Sequence, residues 1–278
     1  MLLEIKKKLY ARFKGYKLKD LKKELIRKWL LRNYRGNEYQ CPVCNTSLRC
    51  FKPIWKSYIR KFKEHGFIYP IASFETFNIS MFSCPSCDAS DRERLYALFL
   101  KKHFEQMDPK RKYEFVDFAP TLALSKWITK HPFINYKTAD LYRKNVDDRV
   151  DITDMVIYKN DSIDMFICSH ILEHIPNDRK AIRELFRVLN PKGFGIIMVP
   201  IIITLNHTRE DLTEKTAKER WKYFGQDDHL RIYAKKDFVK RLEEVGFNID
   251  QYDKYYWGSD TFHKHGIHEN SVLYVVRK

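Results

Sequence analysis

Residues Asp161 to Pro200 read DSIDMFICSHILEHIPNDRKAIRELFRVLNPKGFGIIMVP, in the order strand, helix, turn, strand. Ile163 to Cys168 is a short apolar run of buried-strand length. It opens onto Ser169, His170, Glu173 and His174 instead of a surface turn, so a site is expected where it ends. Asn177 or Asp178 can cap the helix that follows. Its apolar Ile182, Leu185, Phe186 and Leu189 recur at helical spacing and leave Arg179, Lys180, Arg183 and Arg187 to solvent. Asn190-Pro191-Lys192-Gly193 stops that helix, and Phe194 to Ile203 is almost wholly apolar, as expected of a strand covered on both faces. Together they make one βαβ unit of a parallel sheet.

These residues resemble the strand 4 to strand 5 region of class I S-adenosylmethionine-dependent methyltransferases, in particular the type 11-like branch. The likeness rests on Glu173-His174-Ile175 after strand 4 and on the turn from Arg187 to Gly193. Similar order continues from about Tyr113 to the C-terminus. The resemblance implies an α/β fold: a Rossmann-like, seven-stranded methyltransferase sheet with helices on both faces. It also implies S-adenosyl-L-methionine as cofactor and methyl transfer as the activity.

Within that likeness, Glu114 to Phe118 stands as the first strand and Leu122 to Thr129 as its helix, joined through Ala119, Pro120 and Thr121. The family normally has glycines in this loop, because the backbone passes close to the methionine and ribose parts of the cofactor. Here Ala119 and Thr121 stand in the glycine positions, Pro120 stiffens the turn, and Thr121 is expected to cap the helix. Two readings remain, a variant loop that still binds the cofactor or a fold that has lost it. Tyr136 to Asp140 resembles strand 2, with Asp140 accepting from the ribose hydroxyls and Leu141 following it. The resemblance puts Asp151 at the adenine amine and Ile152 over the ring, with Asp147, Asp148 and Asp154 close enough to compete. Ser169 and His170 are expected beside the methionine part, and Phe118 beside the loop.

Methyl transfer from a sulfonium is an in-line displacement with an activated leaving group, so the protein mainly aligns the acceptor and removes a hydroxyl proton. Histidine suits that removal near neutral pH, and three stand near the expected crevice: His229 first, then His174 and His170. The run from Tyr223 to Tyr233 is the other dense constellation. If extended, it projects His229, Arg231 and Tyr233 to one side, which makes Arg231 and Tyr233 candidate substrate-binding residues. A similar run occurs in methyltransferases associated with bacterial glycan synthesis. Some of those also carry a cysteine-rich module directly before the first domain helix.

Cys41-Pro-Val-Cys44 and Cys84-Pro-Ser-Cys87 are two such knuckles, the paired spacing of a closed tetrahedral zinc site. Four thiolates leave no open coordination position, so the expected Zn2+ is structural. Cys50 and Cys168 are explained by burial alone. The insert between the knuckles is rich in aromatics, expected to form a small core around the metal and, as a second possibility, to wall the substrate cleft. After Cys87, the stretch from Asp88 to Arg94 reads as a capped helix entering the next domain. The expected division is 1–38 basic helix, 39–94 zinc module and 95–278 methyltransferase domain.

The chain's 278 residues, 44% of them hydrophobic, can bury one large core and a smaller one. The net charge is +16, concentrated in residues 1–38, where Leu18, Leu21, Leu25 and Trp29 form the apolar stripe of a basic amphipathic helix. That helix either packs on its own protein or meets an anionic membrane surface or a partner such as a glycosyltransferase, with nucleic acid less favoured. No apolar run is long enough to span a bilayer, and the first residues, MLLEIKKKLYARFK, lack a signal peptide's long apolar segment and small-residue cleavage site, so a cytoplasmic protein, peripheral at the inner membrane face, is expected. The leading function is O-methylation of a sugar or glycan intermediate, one attached to a lipid carrier included. The alternatives are an RNA methyltransferase and a non-catalytic binding protein with a degenerate fold.

Overall fold

A computed structural model of the chain describes residues 32–213 and 215–278. The expected basic helix, apart from its last residues 32–38, lies outside them. In chain order the strands are β1 (Tyr39–Gln40), β2 (Ser47–Leu48), β3 (Tyr113–Phe118), β4 (Ile134–Asp140), β5 (Asp148–Arg149), β6 (Ile163–Ser169), β7 (Leu189–Met198), β8 (Arg209–Glu210), β9 (Arg231–Ile232), β10 (Asn248–Tyr252) and β11 (Leu273–Arg277). Seven of them form one sheet in the order β10-β11-β7-β6-β3-β4-β5. β5, β4, β3, β6 and β7 pair in parallel, and β11 runs against both its neighbours. The fold is the Rossmann-like methyltransferase sheet. Among the described residues no helix is long and apolar enough to cross a membrane.

The centre of the sheet is buried on both faces, which demands close approach at two glycines of β7. A Cβ on Gly195 would come within 2.1 Å of the Phe166 ring, and one on Gly193 within 2.3 Å of the Asp164 carbonyl oxygen. Asn177 caps the helix Asp178–Val188 by accepting from the Lys180 amide at 3.0 Å. That helix ends one residue before Leu189, which already pairs with Ile163. Asn190 to Gly193 is therefore absorbed into β7 as an irregularity, after which Met165 pairs with Phe194. At the other edge β10 stops at Tyr252 because the Asp253 side chain accepts from the Tyr255 and Tyr256 amides, starting the short helix Lys254–Trp257.

The expected boundary between residues 94 and 95 falls inside the helix Asp91–Phe104, capped by Ser90 and Glu93. Its fully buried Arg94 donates to the carbonyls of Met81, Phe82, Ala89, His265 and Gly266, joining the second cysteine turn to the C-terminal loop. A buried guanidinium is tolerated only when its donors are matched, and here they are. Cys41, Val43, Leu48 and Phe51 accordingly share one continuous apolar core with the sheet strands.

Candidate active site

A cavity of about 530 Å³ opens at the carboxyl ends of β3, β4 and β6, where ligands of open parallel sheets are found. Phe118, Ala119, Asp140, Leu141, Asp151, Ile152 and His170, all named among the expected cofactor contacts, line it. Asp140 ends β4, its Oδ1 accepting from the Tyr142 and Arg143 amides at 2.8 and 3.0 Å and its Oδ2 lying 3.3 Å from Arg143 Nε. Ala119 holds a left-handed φ of 56°, so the glycine-free loop keeps the conformation that glycine would adopt most easily.

Three expected cofactor contacts are placed elsewhere. Thr121 does not cap its helix, because its hydroxyl donates to Glu93 Oε1 instead. Ser169 Oγ is spent on Tyr96 at 2.8 Å, and the Pro120 carbonyl accepts from Arg143 at 2.6 Å. None of the three lines the cavity.

A second, smaller cavity of about 60 Å³ adjoins the first. Tyr58, Phe62, Phe74 and Phe77 of the insert wall it, with Arg92, Gln226 and His229 as polar members. The insert aromatics pack on Trp221, with Tyr58 and Phe62 ring centroids 5.9 and 5.7 Å from it, and not around the cysteines. Arg92 carried no signal in the sequence, where it looks like an ordinary first-turn residue. His170 is the residue common to both linings.

His170 also has a left-handed φ, 55°, held by its amide donating to the Met198 carbonyl at 2.8 Å. Its Nδ1 lies 3.2 Å from Glu173 Oε1, without hydrogen-bond alignment. Burial, reinforced by the Arg92 guanidinium, pushes the His170 imidazole down to about 4, so it is neutral near pH 7. Burial alone would raise the Glu173 carboxyl, but the facing His170 holds it below the usual carboxylate range. His229 is buried and also kept neutral by burial, with Nδ1 3.0 Å from the Phe224 carbonyl and Nε2 3.9 Å from Glu173. His174 is half-buried against the larger cavity and faces Asp228 at 3.3 Å.

Arg231 and Tyr233 correct the expectation for substrate contacts. Only Arg231 and Ile232 of the run are strand, and both expected residues point inward, 1% and 0% exposed. Arg231 donates to the carbonyls of Leu172, Ile175 and Pro176 at 2.7, 2.5 and 3.0 Å and to Glu210 at 2.9 Å. Tyr233 donates to Asp178 at 2.8 Å. They brace the turn that carries Glu173 and His174 and do not reach the cavities.

The four cysteines come together. Cys41 and Cys87 Sγ are 3.7 Å apart, Cys44 and Cys84 Sγ 3.8 Å, and all four sulfurs lie within 4.8 Å of one another. Both turns have the same form: Asn45 and Asp88, each left-handed, return an amide to the carbonyls of Cys41 and Cys84. Zn–S bonds of about 2.3 Å give a tetrahedral edge of about 3.8 Å, so the sulfurs are spaced for one ion.

Among solved structures, the fold is similar to the CurJ carbon methyltransferase, at 12% identity and a TM-score of 0.44 over 66% of this chain and 53% of that one. This chain thus spans about half the CurJ length. It is also similar to the [4+2]-cyclase SpnF (14%, TM-score 0.43, 66% and 80% covered). A third is the 1,6-didemethyltoxoflavin-N1-methyltransferase of Burkholderia thailandensis (13%, TM-score 0.44, 67% and 77% covered). No curated protein matches the chain. The family model described as a methyltransferase domain matches residues 74–252, from the insert through β10, and the chain belongs to that family, the S-adenosylmethionine-dependent methyltransferases.

Proposed function

We propose that the chain is an O-methyltransferase whose larger cavity takes S-adenosylmethionine and whose smaller, aromatic cavity takes the reacting end of a sugar or glycan acceptor. The observation that carries this reading is His170, which stands between the two cavities. When bound, the cofactor supplies an electrophilic methyl on a sulfonium. Asp140 accepts from the ribose hydroxyls, exchanging its exposed Arg143 partner at little cost, and Asp151 and Ile152 meet the adenine. His170, with Glu173 behind its Nδ1, accepts the acceptor's hydroxyl proton on Nε2. His229, the first expectation for this role, has its ring nitrogens turned to Phe224 and Glu173.

Aromatic walls offer faces for the C–H side of a sugar ring, and Arg92 with Gln226 offers donors to hydroxyl or anionic groups. The four cysteines hold a structural Zn2+ in this reading, keeping residues 39–94 on the sheet. Residues 1–38, at +9, bring the enzyme to an anionic membrane face or a glycosyltransferase that presents a lipid-linked acceptor.

The test is transfer of labelled methyl to sugar nucleotides, lipid-linked sugars and RNA, with His170→Ala alongside. A sugar acceptor is expected, with kcat falling about 10²- to 10⁴-fold in the variant and S-adenosylhomocysteine affinity falling far less. Label in RNA alone, or full activity of His170→Ala, overturns the assignment.

A further inference from the structure

The wall between the two cavities holds acceptors that outnumber the donors facing them: His170 Nδ1, 3.2 Å from Glu173 Oε1, is out of hydrogen-bond alignment. Glu173 is 0% exposed, and neither of its carboxylate oxygens has a hydrogen-bond partner among the described residues. His229 Nε2 is equally buried and equally without a partner, 3.9 Å from Glu173 Oε1. The tautomer of His229 follows from its other nitrogen. A carbonyl can only accept, so Nδ1 carries the hydrogen toward Phe224 and Nε2 is a lone pair. A lone pair and a carboxylate sharing a dry space repel unless a cation lies between them.

His174 completes the set. One donor atom from each of Glu173, His174 and His229 lies within 4.8 Å of the others, and the two imidazoles meet edge to face with centroids 4.8 Å apart. His174 Nδ1 sits 3.3 Å from Asp228 Oδ2. Each ring therefore has its Nδ1 turned to an oxygen, a carbonyl for His229 and a carboxylate for His174, which leaves Nε2 to a metal. This is the outer-shell pattern that orients metal-binding histidines. The backbone is braced to match: Leu230 N donates to the Glu173 carbonyl at 2.8 Å, and Arg231 holds the carbonyls on either side of Glu173 and His174.

We propose that Glu173, His174 and His229 form a second metal site, separate from the four cysteines, for a first-row divalent cation with Zn2+ as the fitting probe. Two imidazoles and one carboxylate are a donor set that leaves a coordination position open. His229 lines the smaller cavity and His174 the larger, so that position lies at their junction, where an oxygen of a bound molecule can occupy it. The ion relieves the acceptor repulsion and fixes the turn after β6.

Zinc content and calorimetric titration with Zn2+ alone test this on the full chain, against Glu173→Gln and the half-buried His174→Ala, with folding followed by circular dichroism. Wild type is expected to hold two equivalents. One is insensitive to both variants, as the cysteine site requires, and the other is weakened about 100-fold or more in each. A single equivalent in folded wild type up to millimolar zinc overturns the site. So does a second equivalent that both folded variants bind as well as wild type, which would put the ion on other histidines. Because zinc binding is read without any acceptor, the result is independent of the methyl-transfer assignment.

Discussion

Arg231→Ala separates a brace from a substrate contact. The guanidinium is 1% exposed and satisfies the carbonyls of Leu172, Ile175 and Pro176 together with Glu210. Glu210 keeps Arg241, at 3.1 and 3.3 Å, so its loss is partly covered. The Leu172 carbonyl keeps the Ile175 amide at 3.3 Å, while those of Ile175 and Pro176 have no other donor among the described residues. At roughly 1–3 kcal/mol for each buried group left unpaired, and with that discount, the variant loses about 3–5 kcal/mol. Set against a total of about 5–15 kcal/mol, this is a large share of the stability. Arg231→Lys keeps the charge but not the fork, and is expected to lose about 2 kcal/mol or more. Urea unfolding followed by far-ultraviolet circular dichroism reads both. Unfolding of both variants within about 0.5 kcal/mol of wild type, with a raised acceptor KM, would refute the brace and return Arg231 to the substrate.

Ala119→Gly removes a left-handed alanine costing about 1–2 kcal/mol and adds a glycine entropy cost of about 0.5–1 kcal/mol, so it is expected to stabilise by up to about 1 kcal/mol with cofactor binding intact. A lowered Tm would show that the loop needs the methyl group. Asp117, 2% exposed on β3, is pushed up to about 7 by burial despite the Tyr136 hydroxyl at 2.7 Å. A carboxyl raised in the folded state contributes stability below its unfolded value of about 4 that is lost as pH rises through about 7, a change on the order of 4 kcal/mol. Asp117→Asn should therefore gain in Tm over wild type progressively from about pH 4 to about pH 8. A difference independent of pH contradicts this.

The central βαβ unit was legible because its burial is periodic and its punctuation strong: Asn177 caps, and Gly195 sits where only a glycine fits against Phe166. The large cavity was legible for the same reason, since Asp140, Asp151 and His170 follow strand ends. What sequence could not reach was side-chain direction in short extended pieces. Alternation put His229, Arg231 and Tyr233 on one side. Only Arg231 and Ile232 are strand, and the unmatched carbonyls after β6 drew Arg231 inward. Similarly, Thr121 had a cap geometry available and a better partner in Glu93, which lies 28 positions away in the chain. The insert's aromatics were visible, and a cleft wall was the second possibility for them, but not that they would pack on Trp221.

The most direct measurement is calorimetric titration of zinc-replete protein with S-adenosylhomocysteine, for wild type and Asp140→Ala, both shown to be folded. Wild type is expected to bind one equivalent, and loss of charge-assisted hydrogen bonds to the ribose should weaken the variant about 10- to 100-fold. Equal binding by the two proteins, or none by folded wild type, would contradict the placement of the cofactor at the end of β4.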